Sequence, residues 1–245
     1  MSMRNFKIIT EFTRRHLVVS AFIAAVLMIG LEIVLRKVWG LGDMLLFKKD
    51  DTFEYIAQPN QNIRRFGNRI IYNEYSMRSK PLSSDDSCII LGLGDSVING
   101  GVLTDHDSLA TTLVENQLGN GYRFLNVSSG SWGPDNCAGY LKKYGHFNAR
   151  LIILMVNSDD SYDVMTFEKV VGRSKDYPER QYSSAISELV LRYLKGAFAN
   201  LTQSFDSISL SKKVSAEFNP GFSFITNYVR EHNIPFMLCL HAEAM

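Results

Sequence analysis

Two kinds of apolar stretch organise this chain. One is long and occurs once: residues 17–35 are apolar except for Ser20, Gly30 and Glu32. A helix of that length can cross a hydrocarbon core of about 30 Å. The other kind is short and recurs. Residues 88–93, 122–127, 151–156 and 234–240 are runs of strand length, too short for helices. Leu151-Ile152-Ile153-Leu154-Met155-Val156 is apolar throughout, as a parallel strand covered on both faces requires. Helical patterns lie between these runs. Residues 108–118 place Leu109, Leu113, Val114 and Leu118 on one face, with Asp107 or Ser108 able to cap the start. Residues 134–144, 184–198 and 220–231 read as further helices. Strands alternating with helices predict a doubly wound parallel sheet. Residues 65–75 have hairpin character, with Gly67-Asn68 as the break and Ile70-Ile71-Tyr72 prone to β structure.

Charge orients the long stretch. Arg4, Lys7, Arg14 and Arg15 precede it, and Arg36 and Lys37 close it. The larger basic count lies before the span, so the N-terminus is expected in the cytoplasm and the bulk of the chain outside. A cleaved signal peptide has an apolar core of only about 7–15 residues and a small-residue cleavage site. Val38-Trp39-Gly40 offers no such site, so the stretch is read as a retained anchor in the lipid bilayer. Glu32 falls near its outer end, where a charge costs less than at mid-membrane. The chain then divides into a cytoplasmic part (1–15), an anchor (16–37), a linker with a hairpin (38–85) and an α/β domain (86–245).

Composition narrows the picture a little. The chain is 46% hydrophobic and 21% charged, as globular proteins are. A net charge of +1 gives no pull toward nucleic acid, and no nucleic-acid partner is expected. Cys88, Cys137 and Cys239 lack metal-type spacing. Asn200-Leu201-Thr202 matches a glycosylation sequon, which matters only in a glycosylating secretory pathway.

The candidate chemistry follows the first short run, at Gly92-Leu93-Gly94-Asp95-Ser96-Val97-Ile98-Asn99-Gly100-Gly101. Ligands of open α/β sheets bind beyond the carboxyl ends of strands, so this strand would deliver Ser96 to a site. A dinucleotide fingerprint fails, because Val97 stands where its third glycine belongs. No Lys-Ser or Lys-Thr follows at Walker spacing, and the Gly-x-Ser-x-Gly elbow is absent.

Gly94-Asp95-Ser96, followed by Gly100-Gly101-Val102 and Asp105-His106-Asp107-Ser108-Leu109, resembles the GDSL or SGNH hydrolases. Gln58-Pro59-Asn60 and the later Asn73-Glu74-Tyr75-Ser76-Met77-Arg78-Ser79 look like the segment preceding the catalytic domain in membrane-anchored SGNH proteins of bacterial polysaccharide clusters. The resemblance implies a flavodoxin-like, three-layer α/β/α domain. It implies esterase or acyl-transfer chemistry on O-acyl groups of a surface polysaccharide, with no cofactor and no metal. Ser96 would be the nucleophile. Its oxyanion would be held by Gly130, within Asn126-Val127-Ser128-Ser129-Gly130-Ser131-Trp132-Gly133, and by Asn157. The third block departs from the family's Gly-x-Asn-Asp: here it reads Val156-Asn157-Ser158-Asp159-Asp160, so Ser158 or Asp159 are alternatives to Asn157. The family's Asp-x-x-His has no counterpart before Met245, and the domain is expected to be incomplete at its C-terminus. His241, directly after the last predicted strand, is the candidate base.

Other readings stay open. The fold could serve a catalytically incompetent glycan-binding or assembly protein, or belong to a fragment of a longer hydrolase. Arg64, Arg65 and Arg69 could contact an acidic glycan or form a solvated basic face. Trp132 could be a pocket wall or core. Asp159, Asp160 and Asp163 lack a nearby histidine and a glycine-bearing calcium loop. His106 is expected in a loop, His146 and His232 at helix ends, and His16 beside the membrane.

Overall fold

Four parallel strands form the central sheet: β5 (Cys88–Gly94), β6 (Tyr122–Ser128), β7 (Leu151–Val156) and β10 (Phe236–Leu240). Their spatial order is β10-β7-β5-β6. This is a computed structural model, and it describes residues 3–119, 121–194, 213–214 and 217–241. All four strands fall on the short apolar runs. Leu91, Leu93, Leu125, Val127, Ile152 and Leu154 are buried at the sheet's centre, which is why β5 and β7 are apolar throughout, while β6 also carries Asn126 and Ser128.

Helices α3 (Ala110–Leu118), α4 (Pro134–Tyr144) and α6 (Pro220–Glu231) connect and cover the strands. Pro134 and Pro220 stand in the first turns of α4 and α6, where no N–H is needed. Gly221 allows α6 to cross α4 backbone to backbone; a Cβ there would sit 2.1 Å from the Pro134 carbonyl carbon. The predicted face of α3 needs correction. Leu109 is buried, but Leu113, Val114 and Leu118 are exposed, and Thr111 and Thr112 face inward. The inner face serves hydrogen bonds to β6 and its neighbours. Thr111 Oγ1 accepts from Asn126 Nδ2 at 3.3 Å, and Glu115 accepts from the Phe124 N–H and from Arg123.

Residues 38–85 contribute two antiparallel hairpins. The first joins β1 (Phe47–Asp50) to β2 (Glu54–Ala57), which no apolar run announces. The second joins β3 (Gln61–Arg65) to β4 (Asn68–Tyr72), so it lies earlier than residues 65–75. Its turn is Phe66-Gly67, with φ of 50° and 85°, the positive pair that matches strand twist in a two-residue loop. Phe53, Tyr55, Ile56, Ile70, Tyr72 and Met77 from this segment join the same hydrophobic core as the sheet.

The long apolar stretch is helical. Helix α1 (Met3–Val34) continues into a π-helical turn, Leu35–Trp39. Residues 14–39 form one helix long and apolar enough to cross a membrane, and its 14–31 portion is exposed along its whole length. Glu32 is not free. Its carboxylate accepts the Ala185 and Ile186 N–H groups at 2.8 and 3.0 Å and pairs with Arg36 at 2.6 Å. Ala185 opens α5 (Ala185–Glu188), which passes into a second π-helical turn, Leu189–Leu194. The expected helix at 184–198 is thus resolved into these two pieces, and its last residues lie outside the described ones, as does the sequon at 200–202. A short pair, β8 (Asp163–Val164) with β9 (Lys213–Val214), completes the described elements.

Candidate active site

β5 places Ser96 where the sheet changes its direction of growth. β6, next in sequence, adds on one side of β5; β7 and β10 add on the other. Such a switch point opens a crevice beyond the strand ends. Asp95 caps the single turn α2 (Ser96–Asn99), its Oδ1 accepting the Val97 N–H at 2.9 Å. Asp95 is buried, whereas Ser96 is exposed.

Ser96, Asn99 and Gly130 line one cleft of about 270 Å³. The lining also includes Met44, Leu45, Arg65 and Phe66 from the segment before the sheet, and Arg192 and Tyr193 from the π-helical turn. Gly130 is held through its carbonyl, which accepts Tyr55 OH at 2.9 Å and Tyr177 OH at 3.1 Å. Burial pushes the Tyr55 phenol well up, so it stays a neutral donor. The Gly130 N–H has no acceptor among the described residues.

Behind the cleft lies a buried polar lattice. Asn99 Nδ2 donates to Ser128 O and Ser128 Oγ, both at 3.0 Å, and lies 3.1 Å from Tyr72 OH. Ser128 Oγ donates to Asn126 Oδ1 at 2.5 Å, and Asn126 Nδ2 donates to Ile98 O at 2.7 Å. This lattice fixes the end of β6 against α2, and the two tyrosine hydroxyls hold Gly130 just beyond it. Asn99 and Tyr72 were not singled out from sequence. Asn99 had a legible signal: it stands three residues after Ser96 on one helical turn, on a neighbouring face.

The other expected site residues are placed differently. Asn157 Nδ2 donates to Asp95 Oδ2 at 2.8 Å, and its Oδ1 accepts the Asp159 and Asp160 N–H groups. Asn157 therefore ties the end of β7 to the end of β5, and it does not line the cleft. Ser158 and Asp159 are exposed. His241 follows β10, with its N–H bonded to Val156 O at 2.8 Å. It stands two strands from β5, about 10 Å by strand spacing, and its ring has no partner among the described residues. Ser96 Oγ likewise has no histidine bonded to it there.

The remaining histidines and basic residues have structural surroundings. His106 is buried in a 3₁₀ turn, with Nδ1 unpartnered, and burial together with Arg78 pushes its pKa down to about 4. His146 and His232 do sit at helix ends, and His232 Nδ1 lies 2.9 Å from Tyr228 O. Arg65 is buried and paired with Glu188, while Arg64 and Arg69 stand opposite each other on the exposed face of the hairpin, Arg69 bonded to Asp107 at 2.7 Å. Trp132 is core, its Nε1 donating to Tyr55 O at 2.9 Å. No cluster of three potential metal ligands occurs among the described residues. No protein-family model and no curated protein matches the chain.

Proposed function

We propose that this chain is a membrane-anchored serine hydrolase of the SGNH type, acting outside the cytoplasm as an esterase or acyl transferase on O-acyl groups of a surface polysaccharide. The observation that carries the reading is one cleft lined by both Ser96 and Gly130 at the sheet's switch point. A serine needs donors aimed at the oxygen that becomes negative, and the unbonded Gly130 N–H fits that role. The strand order supports the flavodoxin-like part of the reading, since it equals the first four strands of the 2-1-3-4-5 order. Asn157 acts here through Asp95, holding the turn that presents Ser96. His241 is the base candidate because it lies at the same sheet edge. Fluorophosphonate labelling of the full chain, lost in Ser96→Ala, is the expected result; equal labelling of both forms removes Ser96 as nucleophile.

A second reading is favoured by a specific observation. Asn157 is already bonded to Asp95, and no histidine contacts Ser96 among the described residues. On this reading the cleft binds an acylated glycan without turning it over. Glycan binding unchanged by Ser96→Ala, with no ester cleavage, would select it.

A further inference from the structure

Three residues that line the Ser96 cleft, Arg65, Phe66 and Tyr193, also belong to the contacts that hold the end of the anchor. Arg65 Nη1 donates to Gly40 O at 3.3 Å, and its guanidinium pairs with Glu188 and Tyr193 OH. The Phe66 N–H donates to Trp39 O at 2.9 Å. Glu188 also accepts the Gly42 N–H, while Leu35, Leu41 and Ala185 close a small apolar core of their own. The anchor's end is thus a fixed part of the domain.

Helix geometry sets the height of that end. About 20 residues of α-helix span a 30 Å hydrocarbon layer, so a span starting at Leu17 reaches its outer boundary near Arg36. Glu32 lies one turn inside that boundary and is bonded to the start of α5. The π-helical turn that follows α5 starts four residues beyond the Ala185 N–H that Glu32 holds, so it begins close to the end of the apolar helix. Its Val190, Leu191 and Leu194 are exposed, as are Val38, Trp39 and Phe66. Exposed apolar residues on the segments that hold the end of a membrane helix form an apolar collar suited to the interface, where aromatic rings are enriched.

Resting on the hydrolase reading above, we infer that the collar seats the domain on its own bilayer and that the Ser96 cleft takes its acyl ester from a lipid-borne substrate in that bilayer. In the reaction the ester C–O bond breaks, the acyl group joins Ser96 Oγ, and the serine proton ends on the leaving oxygen. Water or a glycan hydroxyl then takes the acyl group and returns a proton to Ser96.

Two measurements on the full chain in vesicles test this. The chain has two tryptophans, and Trp132 is buried. In a Trp39→Phe background, Leu191→Trp and Val190→Trp should be quenched by lipids brominated near the headgroup, and Leu118→Trp should not. Equal quenching at all three positions overturns the seating. Ser96 should react faster with a lipid-anchored fluorophosphonate in the vesicles than with a water-soluble one, by about tenfold or more, because a shared surface raises effective concentration. Equal or slower reaction overturns the lipid-borne substrate. Reaction with neither overturns the hydrolase reading together with the substrate, and the quenching still decides the seating.

Discussion

The two flanks of the sheet are finished to different degrees. On the β6 side, residues 77–79 run along the strand: the Arg78 N–H bonds to Asn126 O at 2.8 Å, and Ser79 Oγ links Phe124 O and the Asn126 N–H. The lattice of Tyr72, Asn99, Asn126 and Ser128 stands there, next to Ser96 and Gly130. On the β10 side, no strand lies beyond β10 among the described residues, and Met237, Leu238 and Leu240 are exposed. His241 hangs at that margin. One flank holds Ser96 and Gly130, the proposed nucleophile and oxyanion donor, beside a buried hydrogen-bond lattice. The other presents an apolar edge and the His241 imidazole, which has no partner among the described residues. The difference teaches that the contacts around Ser96 come from the β6 flank and from Asn157, and none of them from β10.

The strongest test of this contrast uses one residue type on both flanks. Leu125→Ala removes a fully buried side chain from β6 and should cost about 2–5 kcal/mol in urea unfolding. Leu238→Ala, on half-exposed β10, should stay within about 0.5 kcal/mol. A loss at Leu238 equal to that at Leu125 would show that the β10 face is covered in the folded protein. Next in size is the lattice. Asn99→Ala leaves buried partners unbonded and should cost about 1–3 kcal/mol, with slower labelling of Ser96 as Gly130 loosens. Unchanged stability would separate Asn99 from the flank's rigidity.

A smaller effect comes from His106, whose folded pKa of about 4 lies below the ordinary 6.5. The unfolded chain takes up a proton there before the folded one does. Stability contributed by this group is full above pH 6.5 and is lost as pH falls toward 4. Comparing urea midpoints at pH 7 and pH 5 should show a smaller drop in His106→Gln than in the parent; an identical drop would clear His106. The smallest effect on stability is expected at His241→Ala, within about 0.5 kcal/mol, because the residue is exposed. If it serves as base, labelling of Ser96 falls while the midpoint stays. Unchanged labelling removes His241 from the site.

Much of the sheet was legible because burial on both faces makes β5 and β7 continuous apolar runs, and β10 is one as well. The four apolar runs became the four parallel strands, and residues 134–144 and 220–231 became α4 and α6. β1 and β2 were not legible: each is four residues long, and charged Lys48, Lys49, Asp50 and Glu54 mask any alternation. The face that α3 buries differs from its apolar stripe for a related reason. Its inward contacts are hydrogen bonds made by Thr111 and Glu115, which hydrophobic periodicity does not register. At the site, Ser96 and Gly130 could be paired from their places after adjacent strands. Asn157's bond to Asp95 and Arg65's burial against Glu188 depend on partners distant in sequence, which no local pattern reveals.

The strand order also dictates a sequence of assembly. β5 can pair with β6 and then with β7, while β10 touches β7 alone. Synthesis proceeds at about 5–20 residues per second, so three strands can be in place several seconds before residues 220–240 appear. α6 and β10 arrive last, and Gly221 must then slide against the Pro134 backbone to close the packing on α4. Until that moment β7 carries an unpaired hydrogen-bonding edge of the kind that templates aggregation. Pulse-labelled hydrogen exchange during refolding should protect β5 and β6 before β10. β7 is therefore the edge that a chaperone must shield or a protease meets first.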